Sequence, residues 1–301
     1  MTPPGLSGLL FALAAASLYG VNIVSARLAA ESGVSGVAFV FYRVFLMLVI
    51  VAAVAALRRA SLRVAAGEHG ALVVAGIATA ALGAAYLSSV AFIPVTVAVT
   101  VFYTYPVLIV LLSPFVDGSR ITGRLLAVTA LAVLGVILVV GPAFDGLDPR
   151  GLALAALASV ATAVQFFAAS RCRATGAVAK VFWIHVLVLP ASAAIGLAAG
   201  ALVPPQALLA APIAVAETIG AYVLGFAFQF AALARSSAVV AGIAFCAEPV
   251  VAALTSALVL GERLSPLQLI GGALVLAAIL TNVVAGRRRA GAPDPQPASS
   301  A

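Results

Sequence analysis

Long apolar runs broken by short polar or basic stretches set the pattern of this chain. The runs fall at roughly 6–26, 36–57, 70–91, 95–116, 123–141, 151–170, 178–198, 212–233, 238–259 and 266–286. Each approaches the roughly 20 residues that a helix needs to cross a hydrocarbon core. A membrane β-barrel would show ~10-residue stretches of alternating apolar and polar positions, and 127–140 or 272–280 have no such alternation. The pattern predicts an all-α membrane protein of ten transmembrane helices with short connections. The first run lacks a basic leader and is long enough to span, so it reads as a mature helix rather than a signal peptide.

Composition narrows the class. Of 301 residues, 64% are hydrophobic and 8% charged, against roughly 25% charged in soluble domains, which excludes a soluble globular protein. The formal charge of +7 would suggest nucleic acid in a soluble chain. Here the charges are few and scattered, so no nucleic-acid partner is expected and their sidedness matters more than their sum. Counting along the ten segments, Arg58, Arg59, Arg63, Arg120, Arg124, Arg171, Arg173, Lys180, Arg235, Arg287, Arg288 and Arg289 fall on one face, and Arg27, Arg150 and Arg263 on the other. The positive-inside rule then places both termini in the cytoplasm of a bacterial-type inner (plasma) membrane. Residues 290–301, polar and Pro-rich, read as a disordered cytoplasmic tail. Cys172 and Cys246 fall in a loop and mid-helix, a placement that predicts no disulfide between them.

The two halves are self-similar. A shift of 143 lays Gly151-Leu152-Ala153-Leu154 on Gly8-Leu9-Leu10-Phe11, Phe245 on Phe102, Pro249 on Pro106, Gly261 on Gly118 and Arg263 on Arg120. The expected organisation is a repeat of five helices over 1–143 and a second over 144–289. An odd helix number inserts the copies in opposite orientation, giving an inverted repeat.

Cys-Ala-Glu-Pro-Val (246–250), Leu-Gly-Glu-Arg-Leu-Ser (260–265), Gln268 and Gly271-Gly272 have a first-half counterpart in Tyr-Thr-Tyr-Pro-Val (103–107) and Asp-Gly-Ser-Arg-Ile-Thr (117–122). With the duplicated five-helix plan, these motifs resemble the EamA-type drug/metabolite transporter family. The Phe-Tyr-Thr-Tyr-Pro run (102–106) is also similar to the fourth helix of YddG-type amino-acid exporters, with Tyr105 and not Trp before the proline. That resemblance implies Tyr86, Tyr103 and Tyr105 as cavity residues. It also implies export, since nothing in the residues sets a direction.

Polar groups inside spans are costly, about 2.5–3.5 kcal/mol for a charge on insertion scales, and mark candidate sites. Glu248 lies mid-segment before Pro249, and its repeat mate is Tyr105 before Pro106. Prolines at matching places in two halves point to a midplane site, so the fourth and ninth segments are expected to face each other, with Glu248 as proton carrier or ammonium partner. Arg43 and His185 occupy near-equivalent places at an offset of 142, in opposite leaflets. Arg43 suits a substrate carboxylate, or snorkels or pairs with Glu217 or Glu31; His185 reads as a packing histidine or a proton relay. Asn22 superposes on Gln165, and Gln229 on Tyr86. These amides either face the bundle axis or join neighbouring helices. Tyr19, Trp183 and Tyr222 are walls or interfacial anchors, Glu217 a helix-start cap, and Gly196 with Gly200 a packing pair.

No Gly-x-x-x-x-Gly-Lys-Ser/Thr, His-Glu-x-x-His or Gly-x-Ser-x-Gly occurs, and two histidines make a metal site improbable. No cofactor, metal or enzymatic activity is expected. The sequence points to a secondary transporter exporting amino acids or similar amphipathic metabolites by alternating access, with the bilayer and a small molecule as partners. The alternatives are an exchanger for drug-like cations or nucleotide sugars, or a non-transporting membrane subunit.

Overall fold

The computed structural model describes residues 4–31, 33, 36–141 and 147–290, with side chains between 6 and 282. The tail beyond 290 and the side chains of Arg287, Arg288 and Arg289 lie outside these. The elements are α1 (Pro4–Glu31), α2 (Gly36–Leu57), α3 (His69–Ser89), α4 (Val95–Phe102), α5 (Tyr105–Val116), α6 (Gly123–Val140), α7 (Pro149–Arg171), α8 (Ala177–Ala198), a 3₁₀ turn (Pro205–Ala210), α9 (Pro212–Leu233), α10 (Ala238–Phe245), α11 (Ala247–Leu260) and α12 (Pro266–Ala290). Among the described residues nine helices are long and apolar enough to span a membrane, counting α4 with α5 and α10 with α11 as one span each, and Pro266–Asn282 is a shorter apolar helix. The tenth segment is therefore α12, whose described apolar part is short and whose backbone continues helically through the arginines at 287–289.

Local chemistry accounts for the boundaries. Thr122, Asp148 and Ser237 cap α6, α7 and α10 by accepting the backbone N–H of Leu125, Arg150 and Val240, satisfying donors that the first helical turn leaves open. Gly118 and Gly261, superposed by the 143-residue shift, both turn the chain with left-handed φ of 72° and 70°, a conformation that favours glycine. The fourth and ninth segments are broken where their matching prolines stand. Pro106 and Pro249 cannot donate to the carbonyls of Phe102 and Phe245, so α4 stops at Phe102 and α10 at Phe245. Near the first break the Thr104 hydroxyl bonds to the Val101 carbonyl at 2.7 Å and pairs with Ser159 at 2.9 Å.

The halves interleave. α1 packs on α9, and its repeat mate α7 packs on α3; α2 packs on α8, and α6 on α12. These pairings are exchanged or preserved when the repeats are swapped, as a twofold relation requires. The interior is rich in alanine, with Ala12, Ala16, Ala132 and Ala163 fully buried, while Leu57, Phe115 and Leu258 are more than four-fifths exposed. Large apolar groups outside and small ones inside suit a lipid solvent, where close backbone approach rather than hydrophobic burial joins helices. The Gly196/Gly200 packing pair does not form. α8 ends at Ala198 with Ala199 as its cap, Gly200 beyond it turns the chain with φ 58°, and Gly196 faces Leu202 of the following loop. Lys180, counted among loop charges, lies inside α8, buried, with its ammonium 2.7 Å from the Cys172 carbonyl. Cys172 and Cys246 are both free thiols and buried.

Candidate functional site

The helix breaks frame a cavity of about 570 Å³ lined from both halves. Phe102 and Phe245, the last residues of α4 and α10, line it, and the first turn of α11 presents Glu248. The freed amides at that N-terminus favour a carboxylate. Of the residues singled out in the sequence, Tyr86, Tyr103, Tyr105, Gln229, Asn22, Gln165, Arg43, Glu248 and Pro249 line the cavity. Pro106 stands behind the wall, near Gly242 of α10. His185 is fully buried outside the wall.

Aromatic rings form a nearly continuous belt. Centroids of neighbours are 5.5 Å apart for Tyr86 and Phe102, 5.3 Å for Phe102 and Tyr105, 5.5 Å for Tyr105 and Phe166, 5.4 Å for Phe166 and Phe245, and 6.0 Å for Phe245 and Tyr19. From Tyr19, the last ring of this belt, a polar relay crosses four helices. Tyr19 donates to Gln229 Oε1 at 2.9 Å, Gln229 Nε2 to Gln165 Oε1 at 3.1 Å, and Gln165 Nε2 to Thr79 Oγ1 at 2.8 Å. Thr79 ends it on the Ala75 carbonyl at 2.6 Å. Thus the amides both face the cavity and join helices, the two roles open in the sequence.

Arg43 makes no ion pair among the described residues. Its Nη1 donates to Asn22 Oδ1 at a long 3.4 Å, its guanidinium lies 4.5 Å over the Tyr222 ring, and its Nε is buried without a partner. The acids weighed as its partners are engaged elsewhere: Glu31 with Arg27 at 3.3 Å, Glu217 with the Ser25 hydroxyl at 3.2 Å. Glu217 is also past the first turn of α9 rather than capping it. Glu248 lies close enough to Arg43 and to the Tyr103 hydroxyl to interact electrostatically. Neither contact becomes an ion pair or a well-formed hydrogen bond: the Tyr103 hydroxyl is buried without a partner. One cation and one acid thus face the same space, each with spare hydrogen-bonding capacity.

The cavity reaches the surface where Arg27 and Glu262, about half exposed and paired at 2.6 Å, line its mouth. At the opposite end, where the basic loops gather, it is closed. There the Glu68 carboxylate accepts the N–H groups of Ala174 and Thr175 at 2.7 and 2.8 Å, and Arg171 donates to the Val116 carbonyl at 3.0 Å. Trp183, 40% exposed, donates to the Leu62 carbonyl at 2.9 Å at this end. Tyr19 and Tyr222, walls or anchors by sequence, both line the cavity. Phe166, Phe226 and Phe245 also line it. They were not singled out as site residues because a lone phenylalanine in an apolar run reads as ordinary packing.

The sequence profile of the EamA-like transporter family matches residues 6–141 and again 149–284. The chain belongs to the EamA-like transporter family. The two EamA repeats begin and end 143 residues apart, the shift that the internal motifs require. EamA-like proteins form a transporter family and not an enzyme family, so this integral membrane protein is a transporter by membership, with the bilayer and a small-molecule substrate as its partners. Comparison with curated protein sequences gives no match. Among solved structures, one described only as "Crystal structure of protein" is similar over 94% of this chain and 99% of its own, with a TM-score of 0.75 and 22% identity. That likeness concerns the EamA fold alone.

Proposed function

We propose that this EamA protein is a secondary transporter of the bacterial-type inner membrane that exports amino acids or similar small zwitterionic metabolites by alternating access. The observation that carries the reading is the pairing of Arg43 and Glu248 on one cavity without an ion pair between them. A zwitterion supplies both missing partners, its carboxylate meeting Arg43 and Asn22, its ammonium meeting Glu248 and the Tyr103 hydroxyl. The volume lies within the roughly 300–1,000 Å³ typical of small-molecule sites, and the aromatic belt suits an apolar side chain. Phosphorylated substrates would call for several cations, whereas among the described residues Arg43 is the sole basic residue lining the interior and Arg27 at the mouth is already paired.

In this reading the repeats are inverted, both termini are cytoplasmic, and the structure is outward-facing, since its closed end carries the basic loops. Rocking of the repeats would open that end and close the Arg27 and Glu262 mouth. Glu248 is the proposed proton carrier. Counterflow across proteoliposomes with the twenty amino acids tests the substrate class: protein-dependent exchange of at least one is expected, and none across the panel overturns it. Glu248→Gln is expected to abolish accumulation driven by a pH gradient while leaving exchange measurable. Unchanged accumulation removes Glu248 from coupling.

A further inference from the structure

We propose that His185 and Tyr222 are positioning residues that aim the Arg43 guanidinium at a substrate carboxylate, a role that rests on the zwitterion reading of the cavity. His185 of α8 is fully buried behind the cavity wall, against the back of Tyr222 and Phe226, and both of its ring nitrogens are engaged. Nδ1 lies 2.8 Å from the Val181 carbonyl, one turn back, and Nε2 lies 3.0 Å from the Tyr222 hydroxyl of α9. A carbonyl only accepts, so in the neutral ring the proton sits on Nδ1 and Nε2 is an acceptor. Tyr222 therefore donates to His185, which commits its hydroxyl proton to the imidazole.

The consequence falls on α2. With its hydroxyl tied to His185 and one side against Phe226, 5.8 Å away, the Tyr222 ring presents its face to Arg43. The guanidinium centre rests 4.5 Å above that face. A cation over an aromatic face gains about 0.5–2 kcal/mol, depending on desolvation, and consumes none of the five N–H donors. An acid in place of Tyr222 would neutralise Arg43; the ring supports the charge and leaves the fork open. The buried, unpartnered Nε and the long bond to Asn22 are what that support leaves available to a ligand. The near-equivalent places of Arg43 in α2 and His185 in α8 bring the two to opposite sides of one tyrosine, the guanidinium over its ring and the imidazole at its hydroxyl.

The test uses the full chain in proteoliposomes, with the best-exchanged amino acid of the twenty and the amine that results from removing its carboxylate. Tyr222→Phe and His185→Ala are each expected to raise the half-saturation concentration of the amino acid by about tenfold, equivalent to roughly 1.4 kcal/mol. The maximal rate and inhibition by the amine should change little, which also shows that the variants are folded. His185→Gln, which keeps an acceptor, should recover much of the loss. Equal weakening of amino acid and amine, or no weakening by either variant while Arg43→Ala weakens the amino acid alone, overturns the positioning role and leaves the zwitterion reading standing. If Arg43→Ala also leaves amino-acid affinity unchanged, the zwitterion reading itself fails.

Discussion

Two residues without side chains decide how closely α6 and α12 approach. A Cβ on Gly135 would stand 2.7 Å from the Gly271 carbonyl oxygen, and one on Gly271 would stand 2.6 Å from the Gly135 oxygen. Backbone cannot yield as a flexible side chain does, and overpacking of this kind costs about 1–3 kcal/mol. Gly135→Ala is therefore expected to lower the thermal unfolding midpoint in detergent, and an unchanged midpoint would mean that the helices do not meet there. In the sequence Gly271 appears within a family motif, but its reciprocity with Gly135 is invisible. Gly196 and Gly200 have the more suggestive spacing and form no helix contact. The polar residues show the same split. Their cost in lipid makes Arg43 and Glu248 stand out in any reading of the chain, whereas Tyr222, the ring that supports Arg43 from the middle of α9, looks like any aromatic in an apolar run until the partner is seen.

At the scale of elements, the breaks between α4 and α5 and between α10 and α11 are the devices that bring polar chemistry to mid-membrane. A proline inside a helix costs roughly 3 kcal/mol through its missing donor and its ring. Two prolines at repeat-related positions therefore mark places where continuity has been given up. Pro249→Ala restores a donor for the Phe245 carbonyl and should mend α10 and α11 into one helix, displacing Glu248 from its half-helix N-terminus. Exchange is expected to fall steeply while thermal stability in detergent holds or rises. Wild-type exchange by this variant would show that the break itself is dispensable. The breaks could be anticipated, because proline acts on its own turn. The connection between helices eight and nine could not be: the Tyr42 hydroxyl of α2 bonds to the Val203 carbonyl there, a contact between residues 161 positions apart.

Across the whole molecule, the repeats are joined at the closed end by Glu68. Burial pushes its carboxyl up, but hydrogen bonds from the Thr175 hydroxyl and from the backbone at Ala174, Thr175 and Arg173 together outweigh this and hold it below its ordinary value of 4.5. Because the folded value is the lower one, the stabilisation is fully present above pH 4.5 and is lost as pH falls through the folded value. Glu68→Gln should accordingly lower the unfolding midpoint at neutral pH, with the gap to wild type closing on acidification below that range. A gap independent of pH would assign the effect to something other than the carboxylate. By itself the sequence determined the class, the helices, the duplication at 143 residues and the proline breaks. Each of these depends on hydropathy, φ restriction or copying, which act over a turn, a span or a register. Only the tertiary structure decided that α1 pairs with α9 and α7 with α3, that Arg43 rests on a tyrosine rather than an acid, and which end is closed. Alanine-rich helices in lipid carry no strong hydrophobic signal for choosing partners, so close packing and hydrogen bonds between residues distant in the chain make that choice.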